Sequence, residues 1–489
     1  MRAIEDCKEI RKYKMYINGK WVESLEGKYF DAYSPSTGNI IAKIAEGTRD
    51  DAKLAIQAAR SATSTFAAKS VWERSELLKA ISMVIERRKE ELAYELTLDQ
   101  GKPYYSEALA EVSAMAKTFL EAAEQIKWLE TSFIPVEDKN KRVFSIRQPR
   151  GVYAIVTPWN FPYMIPTEYL SAGLAAGNTI VWVPAPTTSL CAVKLMECLE
   201  EAGVPKGVVN LVTGMGPVVG DEIVSNPGTD AIGFTGSSAT GRLIAARGAG
   251  KPMLLELGGN GPTIVLKDAD VDQAAKSIAA GCFFNAGQVC SSTERILVHK
   301  EIHDVFVEKL VAHAKEVVLG DPFDQRTTMG PLNNYQVAEK NDQHARDAID
   351  KGATILVGGK RATHLKSNLF FEPTVIIDIK EDCLYNKEET FGPVAPVLSF
   401  SSNEEALEIA HRNKWGLVSS VFTMNMKEAI YFAERLRTGI VNINDNSNYW
   451  EPHIPFGGAS GKSSGIGRLG GKHSIMEMSD LKTICLDIG

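Results

Sequence analysis

The chain has 489 residues, 44% of them hydrophobic and 24% charged, a composition that excludes a disordered, fibrous or collagen-like chain and leaves enough apolar surface for about three domains. Against 61 Asp and Glu stand 54 Lys and Arg, a net charge of −7. No domain-sized block is basic, so neither nucleic acid nor an anionic membrane is an expected partner.

Residues 1–21 alternate charged and apolar side chains and lack the apolar stretch of about 7–15 residues that marks a signal peptide. No later apolar run approaches the roughly 20 residues that cross a bilayer. Residues 50–130 read as helical: Asp51 to Ala62, then Trp72 to Thr97 with Leu77, Ile81, Val84, Ile85, Leu92 and Leu96 at helical spacing, then about Ser106 to Trp128 after the break at Gly101-Lys-Pro103. Residues 131–149 change to a polar-tipped β-ribbon. From 150 the pattern alternates: strands at 151–157, 179–183, 208–214, 231–236 and 253–259 are separated by helices running to Ala176, over Thr188–Ala202, near 217–225 and from about Ser238. Short apolar strands between helices predict a parallel sheet covered on both faces. A second α/β stretch opens at 262–268, with helices at 271–285, 302–318 and 335–351, then a Gly-rich segment at 454–472 and a closing strand at 481–488. The expected fold class is α/β, two doubly wound domains plus a small β element.

The seven cysteines, Cys7, Cys191, Cys198, Cys282, Cys290, Cys383 and Cys485, are scattered, odd in number and never spaced C-x-x-C. That argues against a disulfide framework or a structural zinc and for a reducing, cytoplasmic compartment. The histidines form no metal-binding spacing, and no metal is expected. GIGRLG (465–470) matches a dinucleotide fingerprint but has no strand immediately before it and no room for a βαβ unit after it, so it reads as a loop. GSSATGR (236–242) resembles a nucleotide phosphate loop with Arg242 in place of the lysine and Leu243 in place of the hydroxyl residue. Phosphoryl transfer lacks its parts there, but a strand-to-helix turn at Gly236 and Ser237 can still present backbone N–H groups to a pyrophosphate.

Three residues remain as candidates for chemistry. Cys290, in FFNAGQVCSSTER, lies among glycine and small polar residues at the end of a helical pattern, where a thiol is more reactive than one among aliphatics, although a lone cysteine is more often a core residue. Glu256, in LLELGGN, is a carboxylate inside an apolar strand; it must be partnered, neutralised or used as a base. Asn160, in TPWNFP (157–162), stands between prolines beyond a strand's carboxyl end, placed either to cap the turn or to donate to an oxyanion.

TPWNFP, GFTGS, LELGGN, FNAGQVC, KEETFGPV (387–394) and PFGG (455–458) together resemble the aldehyde dehydrogenase superfamily in order and spacing over essentially the whole chain. The resemblance implies that Cys290 attacks an aldehyde to give a thiohemiacetal, that Asn160 and the Cys290 N–H stabilise its oxyanion, that hydride leaves for a nicotinamide, and that Glu256 activates water to hydrolyse the thioester. It implies cofactor contacts at Thr157, Pro158, Trp159, Val183, Pro184, Ala185, Pro186, Gly216, Gly236, Ser237, Leu257, Glu389 and Phe391. Candidate substrate contacts are Phe161, Glu168, Tyr449, Trp450 and His453. It further implies a cofactor-binding domain of 1–130 and 150–258, a catalytic domain of 259–448, a substrate-site segment of 449–472, and an oligomerisation element of 131–149 and 473–489 that makes a homodimer or homotetramer.

Two departures from the family pattern bear on specificity. Where the family usually has K-P-x-E or K-P-x-S/T after the second strand, this chain has Val183-Pro184-Ala185-Pro186. Losing the carboxylate admits a 2′-phosphate, so NADP is favoured over NAD, with Lys194 or Arg242 to supply the missing cation. Eight residues after Asn160, where related enzymes for succinic semialdehyde carry arginine, stands Glu168. A carboxylate there repels an acidic tail, which predicts a neutral aldehyde, hydroxylated or aromatic, unless Glu168 pairs with a cation on its helix. The competing functions are a CoA-acylating dehydrogenase, which typically lacks the glutamate of LELGG, and a non-catalytic protein on the same fold.

Overall fold

A computed structural model describes residues 10–489. Cys7 and the start of the segment read as lacking a signal peptide lie outside the described residues. Two large sheets organise the chain. In the first, the parallel strands Met253–Glu256, Ala231–Thr235, Val152–Thr157, Thr179–Pro184 and Val209–Leu211 lie side by side in that order. The chain steps outward from Val152–Thr157 in one direction, then returns to its other side with Ala231–Thr235. That reversal makes a crevice beyond the carboxyl ends of these two strands, the usual ligand position in such sheets. Both faces are covered by helices, and Trp182 is wholly buried with its indole N–H on Thr157 Oγ1 at 2.9 Å.

The second sheet is parallel from Thr374–Ile377 through Val394–Phe400, Arg295–His299, Pro262–Val265 and Val418–Phe422 to Ile440–Ile443, with Thr354–Val357 antiparallel at one edge. A third sheet pairs distant segments: Ser479–Asp487 runs antiparallel to Lys141–Pro149 over its full length, and Phe133–Ile134 adds beyond.

Several sequence expectations need correction. The helical run from Trp72 to Thr97 is two helices, Val71–Arg87 and Lys89–Gln100, separated at Arg88. The third helix opens with a π-helical turn, Tyr104–Ala108, before Leu109–Gln125. The first sheet is not purely parallel: the hairpin Met15–Ile17 and Lys20–Val22 pairs antiparallel at one edge. At the other edge Gly465–Ile466, inside the segment read as a loop, pairs antiparallel with Met253–Glu256. A further small sheet, Lys12–Tyr13, Ile40–Ala45 and Tyr29–Tyr33, escaped the reading because its strands are short and half exposed.

Candidate active site

Each functional side chain sits just past the end of a regular element. Asn160 follows the strand Val152–Thr157, and Glu256 ends its own strand. Cys290 lies in the turn between helix Val271–Phe283 and strand Arg295–His299. That turn bends sharply because Asn285 and Ala286 are both left-handed, with φ of 50° and 54°. The glycines of LELGGN have a steric reason: a Cβ on Gly259 would lie 2.0 Å from the Cys290 carbonyl oxygen. Only glycine lets the strand end press against the cysteine turn.

Two cavities meet at Cys290 and Thr235. The first, about 220 Å³, is lined by Pro158, Trp159, Asn160, Gly236, Ser237, Leu257, Glu389 and Phe391 from the predicted set. It opens at the crevice in the first sheet and holds the start of helix Ser238–Arg247, whose N-cap Ser237 accepts the Thr240 N–H at 3.2 Å. Trp159 and Phe391 stack edge to face, 5.5 Å between centroids. Glu389 accepts the Gly259 N–H at 2.9 Å. Backbone N–H groups and a helix N-terminus for an anion, aromatic faces for a flat ring and a carboxylate for hydroxyls fit one end of a nicotinamide dinucleotide. Gln336, Val337 and Lys340, on the helix Tyr335–Asp350, also line this cavity. No local motif announces them, because their helix is amphipathic in the ordinary way.

The second cavity, about 320 Å³, is lined by Phe161, Glu168, Glu256, Cys290 and Trp450 from the predicted set, with Phe284, Phe456, Glu107 and Glu111 added. The remaining expectations fall outside both cavities. Thr157 is buried beneath Trp182. Val183 and Pro184 lie buried at the end of the strand Thr179–Pro184, Ala185 and Pro186 are part-exposed just beyond it, and Gly216 is at the surface. Tyr449 is half exposed with its hydroxyl on Glu451 at 3.4 Å, and His453 points outward to the same residue at 3.6 Å. Lys194 is corrected as a phosphate cation: it is buried against Glu197 at 3.1 Å and Glu91 at 3.9 Å. Arg242 remains exposed.

The electrostatics favour neutral forms. Glu256 is 3% exposed and neither carboxylate oxygen has a hydrogen-bond partner. Burial pushes its pKa far above the ordinary value and Glu168 adds to this, while Arg468 and the Leu469 backbone pull the other way. Burial likewise raises the Cys290 thiol, reinforced by Glu389, Glu256 and Glu168. Glu168 is pushed up to about 8 by burial alone, and no cation pairs with it among the described residues, which removes the reading of a helix-face ion pair.

Asn160 is 3% exposed and its Nδ2 donates to the Gln288 carbonyl at 3.0 Å, leaving its second hydrogen for the cavity. Its loop is gripped from below: Glu111 accepts the N–H groups of Tyr163 and Met164, each at 3.1 Å, and is ion-paired with Lys102, whose ammonium lies 3.4 Å from the Phe161 ring centre.

A part-exposed thiol, a buried carboxylate and an amide donor converging between a cleft that fits one end of a nicotinamide dinucleotide and an aromatic pocket can carry acyl chemistry on sulfur beside a redox cofactor. The model of the aldehyde dehydrogenase family matches residues 21–484. The chain is 39% identical over 476 residues to lactaldehyde dehydrogenase of Methanocaldococcus jannaschii, covering 96% of this chain and 100% of the relative. It is 36% identical over 474 residues to succinate-semialdehyde dehydrogenase (NADP(+)) of Escherichia coli, covering 96% and 97%. It superposes on the NAD+ complex of aldehyde dehydrogenase from Bacillus cereus with a TM-score of 0.94 at 37% identity, covering 98% and 97%. From the cysteine turn to the full length of the chain, this protein belongs to the aldehyde dehydrogenase family.

Proposed function

We propose that this aldehyde dehydrogenase oxidises a neutral aldehyde to its carboxylic acid through an acyl-cysteine that water hydrolyses. The observation that carries this reading is the shared lining of one cavity by the Cys290 thiol and the partnerless Glu256 carboxyl group. Cys290 Sγ adds to the carbonyl carbon as the thiol proton passes to the Glu256 carboxylate or, through water, to solvent, and the carbonyl oxygen takes the negative charge. That oxygen is met by the Asn160 Nδ2–H and the Cys290 N–H, each donor worth about 3 kcal/mol in such sites. When bound in the first cavity, an oxidised nicotinamide supplies the hydride acceptor and a positive charge; Trp159, Gly236, Ser237, Glu389 and Phe391 would hold it. Opposite charge nearby favours the ionised forms of Cys290 and Glu256, which burial alone suppresses. Glu256 as carboxylate then takes a proton from water as that water attacks the thioester, and Sγ departs with the bonding pair. Because Glu256 is present and aimed into the cavity, water rather than CoA is the acyl acceptor.

Among the described residues the pocket lining offers an acidic tail no cation, and Glu168 opposes one as it ionises near pH 8, so hydroxylated or aromatic neutral aldehydes suit the pocket better than semialdehyde acids. The two named relatives act on aldehydes of both kinds and do not choose between them. No carboxylate stands at 183 or 186 to exclude a 2′-phosphate, and Arg242 is the cation left to meet one, which favours NADP. Free cysteines suit a cytoplasmic setting, and the third sheet is the surface through which copies associate as a dimer or tetramer.

The test is an aldehyde panel (glyceraldehyde, benzaldehyde, succinic semialdehyde) with NAD and NADP in turn and no CoA. Turnover without CoA that is lost in Cys290→Ala is the expected result. Dependence on CoA, or turnover that survives Cys290→Ala, overturns the mechanism. Preference for succinic semialdehyde overturns the substrate class, and a tenfold or greater kcat/KM preference for NAD overturns the cofactor assignment.

A further inference from the structure

The π-helical turn Tyr104–Ala108 carries Glu107, which is 5% exposed and reaches the cysteine turn. Its Oε1 accepts the Asn285 N–H at 3.0 Å, while its Oε2 is buried without a partner. Asn285 is one of the two left-handed residues that make this turn, and its side chain is fully engaged. Nδ2 donates to the Asn160 carbonyl at 3.0 Å and to the Gln288 carbonyl at 3.2 Å, and Oδ1 accepts from Gln100 at 3.2 Å. The Gln288 carbonyl is also the acceptor that orients the Asn160 amide. Gln288 is itself held, donating to the Asn285 carbonyl at 2.9 Å and accepting the Asn333 N–H at 2.8 Å. A continuous set of hydrogen bonds thus runs from Glu107 through Asn285 to Asn160 and to the peptide that leads into Cys290.

We propose that Glu107 is a positioning residue for the oxyanion site: by holding Asn285 in its left-handed conformation, it fixes the separation between the Asn160 amide and the Cys290 N–H. Glu111, four residues on, holds the Asn160 loop from the other side through Tyr163 and Met164. One short segment of chain therefore grips both halves of the site. A buried acceptor for the Asn285 N–H at 3.0 Å spares that group an unmet hydrogen bond and holds a turn whose backbone is strained. Two oxyanion donors act together only if both face the same point in space, so a small shift of either loop is felt in the rate and hardly in substrate binding.

The proposal rests on Asn160 being an oxyanion donor, and a double-mutant cycle separates the two claims. The first-turnover hydride-transfer rate is measured at saturating cofactor in the parent, Asn160→Ala, Glu107→Leu and the double variant, with Glu107→Gln as the conservative control. Glu107→Leu is expected to lower the rate about 10- to 100-fold in the parent and less than about threefold in Asn160→Ala, with the cofactor KM unchanged. Glu107→Gln, which keeps the acceptor oxygen, is expected to stay within about threefold of the parent. Should Glu107→Leu not fold, Asn285→Gly keeps the N–H that Glu107 accepts but removes the next link, the side-chain bonds to the Asn160 and Gln288 carbonyls, without straining the left-handed backbone, and takes its place in the cycle. Equal effects in both backgrounds, no effect of Glu107→Leu, or a Glu107→Gln as slow as Glu107→Leu overturns the proposal. An Asn160→Ala that keeps the parent rate instead overturns the underlying role of Asn160.

Discussion

Glu168 shows what burial does to a single charge. Its carboxyl titrates at about 8 because the cavity desolvates it and no cation answers. A raised carboxyl pKa means that the neutral form prevails below that value, so repulsion of an acidic substrate tail is weak at pH 6 to 7, half developed near 8 and nearly complete only about one pH unit higher. The ratio of kcat/KM for glyceraldehyde over succinic semialdehyde is therefore expected to rise as pH increases through about 8. Glu168→Gln is expected to flatten that rise, and a ratio indifferent to pH in the parent counts against the role. At this scale the sequence was legible where a residue was out of place. A carboxylate in an apolar strand, an asparagine between prolines and a cysteine among small polar residues all signalled themselves. Glu107 and Glu111 did not, because in YYSEALAEV they look like the solvent face of an ordinary helix, and only the packing of two distant loops over them reveals their burial.

The loop 388–391 illustrates how an element is held in an unfavourable shape. Phe391 adopts a left-handed φ of 59°, and Glu294 accepts both the Thr390 N–H at 2.8 Å and the Phe391 N–H at 2.7 Å, with Asn260 donating to it at 3.1 Å. Glu294→Gln replaces one acceptor oxygen with a donor. One buried hydrogen bond of about 1 kcal/mol is lost, an unmet backbone N–H adds to the cost, and the loop carrying Glu389 and Phe391 loosens. The cofactor Kd, read by fluorescence titration, is expected to rise about tenfold with the far-UV spectrum unchanged; an unaltered Kd would mean that the loop holds its shape without this bond. In the second half the strand that opens at Pro262 and the helices begun at 271, 302 and 335 were readable from periodicity to within a few residues, whereas the buried strands Arg295–His299, Val394–Phe400 and Val418–Phe422 were not assigned from the sequence. The break at Arg88 was not, since both helices continue one apolar stripe, and the short edge strands were not, since they have too few residues to show alternation.

Across the whole molecule, the third sheet leaves one face uncovered. The register places Phe133, Phe144, Ile484 and Leu486 on the same side, with Phe133 68% and Leu486 46% exposed. Apolar area of that kind, beside an edge strand as long as Ser479–Asp487, is the mark of an association surface. Phe133→Lys with Leu486→Lys is expected to lower the molar mass seen by light scattering by at least half at unchanged helicity, and an unchanged mass would place the interface elsewhere. The strand Gly465–Ile466 carries a consequence of a different kind. It hydrogen-bonds to the very strand that ends in Glu256, and the Ser464 carbonyl accepts the Leu257 N–H at 3.0 Å. The parallel strands of the first sheet, from Val152 to Glu256, leave the ribosome about 200 residues before this final clamp exists. The carboxylate therefore gains its place only when synthesis is nearly finished, and a half-made polypeptide holds a thiol with no partner to free an acid captured on it.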